Sequence, residues 1–215
     1  MSGASSIRQT IEHIERLRRA LKGVEPLPRE ALANKSNAAA VLVPLFERGG
    51  DLHVIYIRRS DHVERNRGQV AFPGGRVDAG DATLLDAALR EAREEVGIEP
   101  ATVDVLGAFP TTSTTASGIV VAPFVGVIPA ETALVKQPSE VADIFDVPLA
   151  ALRDPAYRGT FEWRRDGGRE PAKFPAILYG GQTIWGLTLR ITLEMLEILD
   201  GGIPASPRVS EQNKK

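Results

Sequence analysis

The sequence predicts a mixed α/β domain in which a sheet packs between helices, and three observations carry that prediction. Apolar stretches at residues 38–46, 52–57, 103–109, 119–128 and 174–178 have the length and composition of strands. Residues 81–96 set Leu85, Ala88, Leu89, Ala92 and Val96 at spacings of three and four, which is one apolar stripe on a helix. A second helix follows Trp185 and carries Leu187, Leu189, Ile191, Leu193, Leu196, Ile198 and Leu199. At 215 residues, 43% hydrophobic and 25% charged, the chain suits one globular domain with one sizeable core.

In chain order, residues 1–36 read as a helical extension and linker. Ile11, Ile14, Leu17 and Leu21 form the helix stripe, with Arg16, Arg18, Arg19 and Lys22 as a solvated flank. Pro26 and Pro28 mark the linker. Residues 37–202 form the main domain. Its first two strands make a hairpin through Gly49 and Gly50, ending at Arg58 and Arg59, whose planar forks suit either a diphosphate or a surface carboxylate. A polar loop with His62, Arg65, Asn66 and Arg67 leads to a short strand over 69–72 and the sharp turn Pro73-Gly74-Gly75.

Beyond the 81–96 helix, residues 110–118 form a Ser/Thr-rich loop offering Thr111, Thr115 and Ser117. Glu140 stands before an apolar segment, where an acid also suits the start of a helical turn into residues 141–145. Residues 157–169, with Tyr157, Phe161 and Trp163, suit a projecting hairpin. Gly201 and Gly202 end the last helix, and residues 203–215 read as a disordered tail.

The chemistry concentrates on the 81–96 helix. Glu91, Glu94 and Glu95 share one face, and like charges so spaced repel unless something positive sits among them. A hard divalent cation is one compensator; ordinary ion pairs with Arg90 and Arg93 are the other. Helical spacing alone leaves both open.

The wider pattern resembles the Nudix box of pyrophosphohydrolases. Gly74-Gly75, then Arg90-Glu91-Ala92, Glu94-Glu95 and Gly97-Ile98 carry the likeness, with Asp81 standing one residue further upstream than the usual glutamate. Arg58-Arg59-Ser60 and Arg67-Gly68-Gln69-Val70-Ala71-Phe72-Pro73 resemble the added signature of the coenzyme A pyrophosphatase subgroup. Together these motifs cover about a fifth of the chain. The resemblance implies an α/β/α sandwich and Mg²⁺ or Mn²⁺ held by Glu91, Glu94 and Glu95. It implies a base at Glu91 or Glu140, and Arg90 orienting a glutamate. Substrate contacts would come from Arg58, Arg67, Gly74, Gly75 and Ser117. The implied reaction cleaves the diphosphate of coenzyme A or its derivatives to 3′,5′-ADP and (acyl-)4′-phosphopantetheine. An ADP-ribose or dinucleotide pyrophosphatase, or a non-catalytic nucleotide-binding module, are the alternatives, and the resemblance also allows a homodimer.

Composition narrows the field further. A net charge of −2 supplies no broad attraction for nucleic acid or an anionic membrane. Absence of cysteine excludes disulfides, thiolate catalysis and zinc–thiolate sites. No apolar run reaches membrane-spanning length, and the first residues lack a secretory pattern, so the expected location is cytoplasmic.

Overall fold

The computed structural model describes residues 3–26, 38–113, 119–164 and 171–202. Helix α1 (Gly3–Leu21) precedes strands β1 (Ala38–Arg48), β2 (Asp51–Arg59), β3 (Val70–Ala71) and β4 (Gly74–Arg76). Helix α2 (Leu84–Val96) leads to β5 (Asp104–Ala108), β6 (Thr112–Ser113), β7 (Val120–Val127) and β8 (Val141–Pro148). Helix α3 (Leu149–Arg153), strands β9 (Arg158–Trp163), β10 (Ala172–Tyr179) and β11 (Gln182–Trp185), and helix α4 (Gly186–Leu199) complete the described chain.

The main sheet is mixed and eight-stranded. Its path is β3-β2-β1-β7-β5, with β4 on β1, β6 on β7 and β8 on β2; β9 to β11 form a separate three-stranded sheet. Strands β1 and β7 run parallel, from Ala38 opposite Val120 to Leu45 opposite Val127. The β1–β2 hairpin is paired only from Leu45–Val54 to Arg48–Asp51. Beyond that point the strands diverge like a fork, and the segment 70–76 fills the gap. It pairs first with β2, Ile57 opposite Ala71, and then with β1, Val41 opposite Gly74. A bond from Leu42 N to Pro73 O, 2.9 Å, fixes the crossing.

Alternation along the strands sends side chains to two apolar layers. Leu52, Val54 and Tyr56 of β2 join α1 and α4 on one face, while Ile55 and Ile57 join α2 on the other. The sheet thus lies between helices, as the sequence predicts. Helix α1 contributes fully to its layer, with Leu17 and Leu21 at 0% and 1% exposure; Ile11, on the expected stripe, is 56% exposed.

Two boundaries differ from the sequence reading. Helix α2 begins at Leu84 rather than at 81, because Thr83 caps it: its hydroxyl accepts from Asp86 N at 3.1 Å, and Asp86 Oδ2 accepts from Thr83 N at 2.8 Å. The buried stripe is Leu84, Ala87, Ala88, Ala92 and Val96, with Leu85 and Leu89 half-buried beside it. Residues 141–148 form a strand, not a helical turn, because they find a complete antiparallel partner in β2. The sequence-predicted tail over 203–215 lies outside the described residues.

Candidate metal and diphosphate site

The site begins with the turn that fills the fork. Phe72 is buried and stacks on Tyr56, with centroids 4.9 Å apart. Gly74 passes so close to β1 that an added Cβ would stand 2.4 Å from Ala40 O. At Gly75 an added Cβ would stand 2.5 Å from the carboxylate carbon of Glu91. Gly74 is therefore required by the β1 backbone, while at Gly75 a side chain would compete with the Glu91 carboxylate for space.

Helix α2 can come this near because its inward face is small: Ala87, Ala88 and Ala92 are fully buried. The approach brings Glu95 under the turn, 2% exposed, where its Oε2 accepts from Gly74 N at 2.8 Å and its Oε1 lies 3.6 Å from Arg59 Nη1. Burial pushes Glu95 up to about 7, opposed by the Gly74 bond and Arg59 and reinforced by Glu91 and Glu140. Glu91 is also raised, chiefly by burial, with Arg90 opposing and the neighbouring Glu94 and Glu140 adding to it. These carboxylates thus feel one another's charge, which a cation would relieve.

Arg90 ties the cluster together. Its Nε and Nη2 donate to the buried Asp81 at 3.0 and 3.1 Å, and Nη1 donates to Glu91 Oε1 at 2.8 Å and to Glu94 Oε2 at 3.1 Å. Nη2 also reaches Arg76 O at 3.1 Å, binding the helix to β4. Asp81 raises the Arg90 pKa further, so the charge is permanent. The Asp81 that departs from the usual spacing has a definite place here, as the fork that holds this guanidinium.

A cleft of about 560 Å³ opens over the turn. Glu64, Glu91, Glu95 and Glu140 line it together with Arg59, Arg65, Arg76, Gly74 and Gly75. Glu140 arrives from the other side of the fork: Ser60 N donates to its carbonyl at 2.8 Å, and Val141 pairs with Arg59. A register shift between Arg58 and Arg59 reorders the strand end at this point.

The sequence-predicted residues divide accordingly. Glu91, Glu95, Glu140, Gly74 and Gly75 meet in the cleft. Glu94 is outside its lining, 59% exposed and bonded to Arg90. Arg58 sits opposite Asp143 in the sheet and outside the cleft, whereas Arg59 lines it. Arg67 turns back to donate to Val63 O at 2.8 Å. Ser117 lies outside the described residues. Sequence reasoning did not single out Glu64, Arg65 or Arg76 as site residues. Position beside the glycine turn was the available signal for Arg76, and the polar loop for Glu64 and Arg65.

The donors are all carboxylate oxygens, which suits a hard cation such as Mg²⁺ or Mn²⁺. Among the described residues no group of three or more acidic, histidine or cysteine side chains forms a ready metal cage. Mg²⁺ does not need one, because it binds through one or two carboxylates and takes the remaining oxygens from water and phosphate. Glu91 and Glu95 are the pair that would hold it in this way, and beside them lies Arg59, whose buried Nε has no partner among the described residues.

A mixed sheet between helices, with a glycine turn set against a carboxylate-bearing helix beside Arg59, Arg65 and Arg76, defines a domain suited to a hard cation and a phosphorylated ligand. A NUDIX domain profile matches residues 36–166, and the chain belongs to the Nudix hydrolase family. It is 40% identical over 158 residues to the uncharacterized Nudix hydrolase NudL of Citrobacter koseri, covering 73% of this chain and 80% of that protein. Its identity to the NudL of Yersinia enterocolitica is 40% over 168 residues, covering 78% and 83%. The crystal structure of a MutT/nudix family protein from Enterococcus faecalis superposes with a TM-score of 0.51 at 16% identity, over 89% of this chain and 76% of that one. That likeness concerns the fold.

Proposed function

We propose that the protein is a metal-dependent pyrophosphohydrolase that cleaves the diphosphate of coenzyme A or its acyl derivatives, releasing 3′,5′-ADP and (acyl-)4′-phosphopantetheine. One observation supports the reading: the two segments that resemble the coenzyme A-type signature, 58–60 and 67–75, supply Arg59, Gly74 and Gly75 to the wall shared with Glu91, Glu95 and Glu140, and the loop between them adds Glu64 and Arg65.

In this reading Glu91 and Glu95 hold Mg²⁺ or Mn²⁺, with Glu94 at the rim of the set. The bound cation lowers the pKa of water and neutralises charge on phosphate oxygens. Arg90 fixes the rotamer of Glu91 through its 2.8 Å bond. Arg59 donates to a nonbridging phosphate oxygen. Water attacks one phosphorus, and a carboxylate oxygen of Glu140 takes its proton. Glu140 is the better placed base because one oxygen of Glu91 is already engaged by Arg90. Attack at phosphorus breaks one P–O bond of the bridging oxygen and leaves two monophosphate esters.

Mass-resolved hydrolysis of coenzyme A, acetyl coenzyme A, ADP-ribose and NADH, with Mg²⁺ or Mn²⁺, tests the reading. Release of 3′,5′-ADP from the coenzyme A compounds is the expected result. Turnover confined to ADP-ribose or NADH overturns the substrate assignment. No turnover under either metal overturns the enzymatic one.

A further inference from the structure

The strand entering the glycine turn is only two residues long, yet the turn must hold its place against Glu91 and Glu95 to within fractions of an ångström. Besides its pairing with β2 and β1, it has a side-chain anchor from the last helix. Thr188, in the first turn of α4 and buried, donates its hydroxyl to Val70 O at 3.0 Å, 118 residues away in sequence. One helical turn on, Thr192 is fully buried and bonded to the Tyr56 hydroxyl at 3.0 Å, while its own hydroxyl donates to Thr188 O at 2.8 Å. Tyr56 in turn stacks on Phe72.

Val70 and Phe72 are thus both fixed from α4, one through a carbonyl and the other through an aromatic ring. From Phe72 the chain runs directly through Pro73 to Gly74, whose N–H meets Glu95. No other buried side-chain hydroxyl among the described residues reaches this strand. A hydroxyl in an apolar layer is costly to bury unless it satisfies a partner. Thr188 directs its hydroxyl to β3, and Thr192 directs its own to Thr188 O while meeting Tyr56 of β2.

We infer that Thr188 is a positioning residue for the hydrolysis proposed above: its hydroxyl bond to Val70 holds the glycine turn at the height at which Gly74 N–H meets Glu95. The inference rests on that functional reading for its catalytic consequence and on the geometry alone for its structural one. It makes α4, which supplies no cleft residue, a determinant of the cleft.

The experiment compares Thr188→Val, which keeps shape and deletes the donor, with Thr188→Ser, which restores it. Tyr56→Phe, which keeps the ring stack and removes the Thr192 contact, is the second probe of the same chain. Each is followed by kcat and KM on the diphosphate substrate and by NMR hydrogen exchange of the Gly74 amide in the metal-free protein. Loss of one buried hydrogen bond corresponds to about a tenfold change. T188V is expected to lower kcat about tenfold with KM within about twofold, and to speed Gly74 exchange about tenfold relative to amides at the β1–β7 pairing. T188S should recover both.

Wild-type kcat and Gly74 exchange in T188V would overturn the inference, as would uniform acceleration of all core amides that T188S does not correct. If T188V fails to fold, Thr188→Ala, which deletes the same donor with a smaller side chain, decides: selective acceleration at Gly74 supports the anchor, and unchanged exchange there refutes it. If the wild-type protein cleaves no diphosphate, the functional reading falls, while the exchange comparison still judges the anchor.

Discussion

Helices α2 and α4 cover opposite faces of one sheet, and they do so with opposite materials. The buried face of α2 is largely alanine, whereas α4 buries Leu189, Ile191, Met195, Leu196, Ile198 and Leu199. Small residues bring a helix axis close to a sheet; large ones exclude more apolar area from water. Helix α2 therefore contributes proximity, setting Glu91 against Gly75 and Glu95 beneath Gly74, and α4 contributes the bulk of its layer. Substitutions on the α2 side should be felt mainly in turnover, and those of the apolar residues on the α1–α4 side mainly in stability, with Thr188, which reaches β3, as the exception.

The largest expected effect tests the first half of that contrast. Glu95→Gln can still accept from Gly74 N, and it should lower turnover about a thousandfold with an unchanged or raised melting temperature at pH 8. A melting temperature reduced in parallel with activity would erase the distinction between the faces. Gly75→Ala should follow at about a hundredfold, because its Cβ needs the space of the Glu91 carboxylate. Glu94→Gln, exposed and attached only to Arg90, should cost about tenfold. Equal losses for E94Q and E95Q, measured as kcat at saturating Mg²⁺, would restore Glu94 to the rank of its neighbours.

On the opposite face, Leu17→Ala should destabilise by about 2–5 kcal/mol in urea melts, with the activity per folded molecule unchanged. Smaller again is the pH response. Burial raises Glu95 from 4.5 to about 7, so the folded protein binds that proton more tightly than the unfolded chain does. The associated stability is full below pH 4.5 and is lost as pH rises through about 7, on the order of 3 kcal/mol in metal-free protein. Thermal melts across that window should show the slope, and E95Q should flatten it. At the small end, Arg18→Ala removes an exposed 2.7 Å pair with Asp104 and should change stability by less than about 1 kcal/mol.

Local pattern carried the sequence reading a long way where physical causes are themselves local. The α2 stripe, the stop at Gly97 with φ 75°, and the crowded glycine turn are each visible within a short window. What escaped was set by pairing between distant segments. That residues 141–148 form a strand depends on β2, some ninety residues earlier in the chain. The preference for Arg59 over Arg58 depends on a register shift at that pair, which leaves no mark in residue types. The start of α2 was legible in principle, since Thr83 and Asp86 form a capping box; the reading opened the helix at Asp81 although its apolar stripe begins only at Leu85. Arg90 was read as an orienting residue, and its bond to Glu91 has that form, but its deeper hold on Asp81 required the loop to be folded.

The parallel pairing of β1 with β7, and the burial of α1 against the last helix, also order events in time. Ala38 waits for Val120 before it has a strand partner on that side. Arg16 Nη1 donates to Leu199 O at 3.0 Å, so helix α1 meets α4 only after the 183-residue span between these partners has been made. Until then Leu17 and Leu21, which also pack on β2 and β5, lack part of their cover, and such delayed long-range closure slows folding and exposes apolar surface during synthesis. Of the described elements, the one made first waits for the one made last.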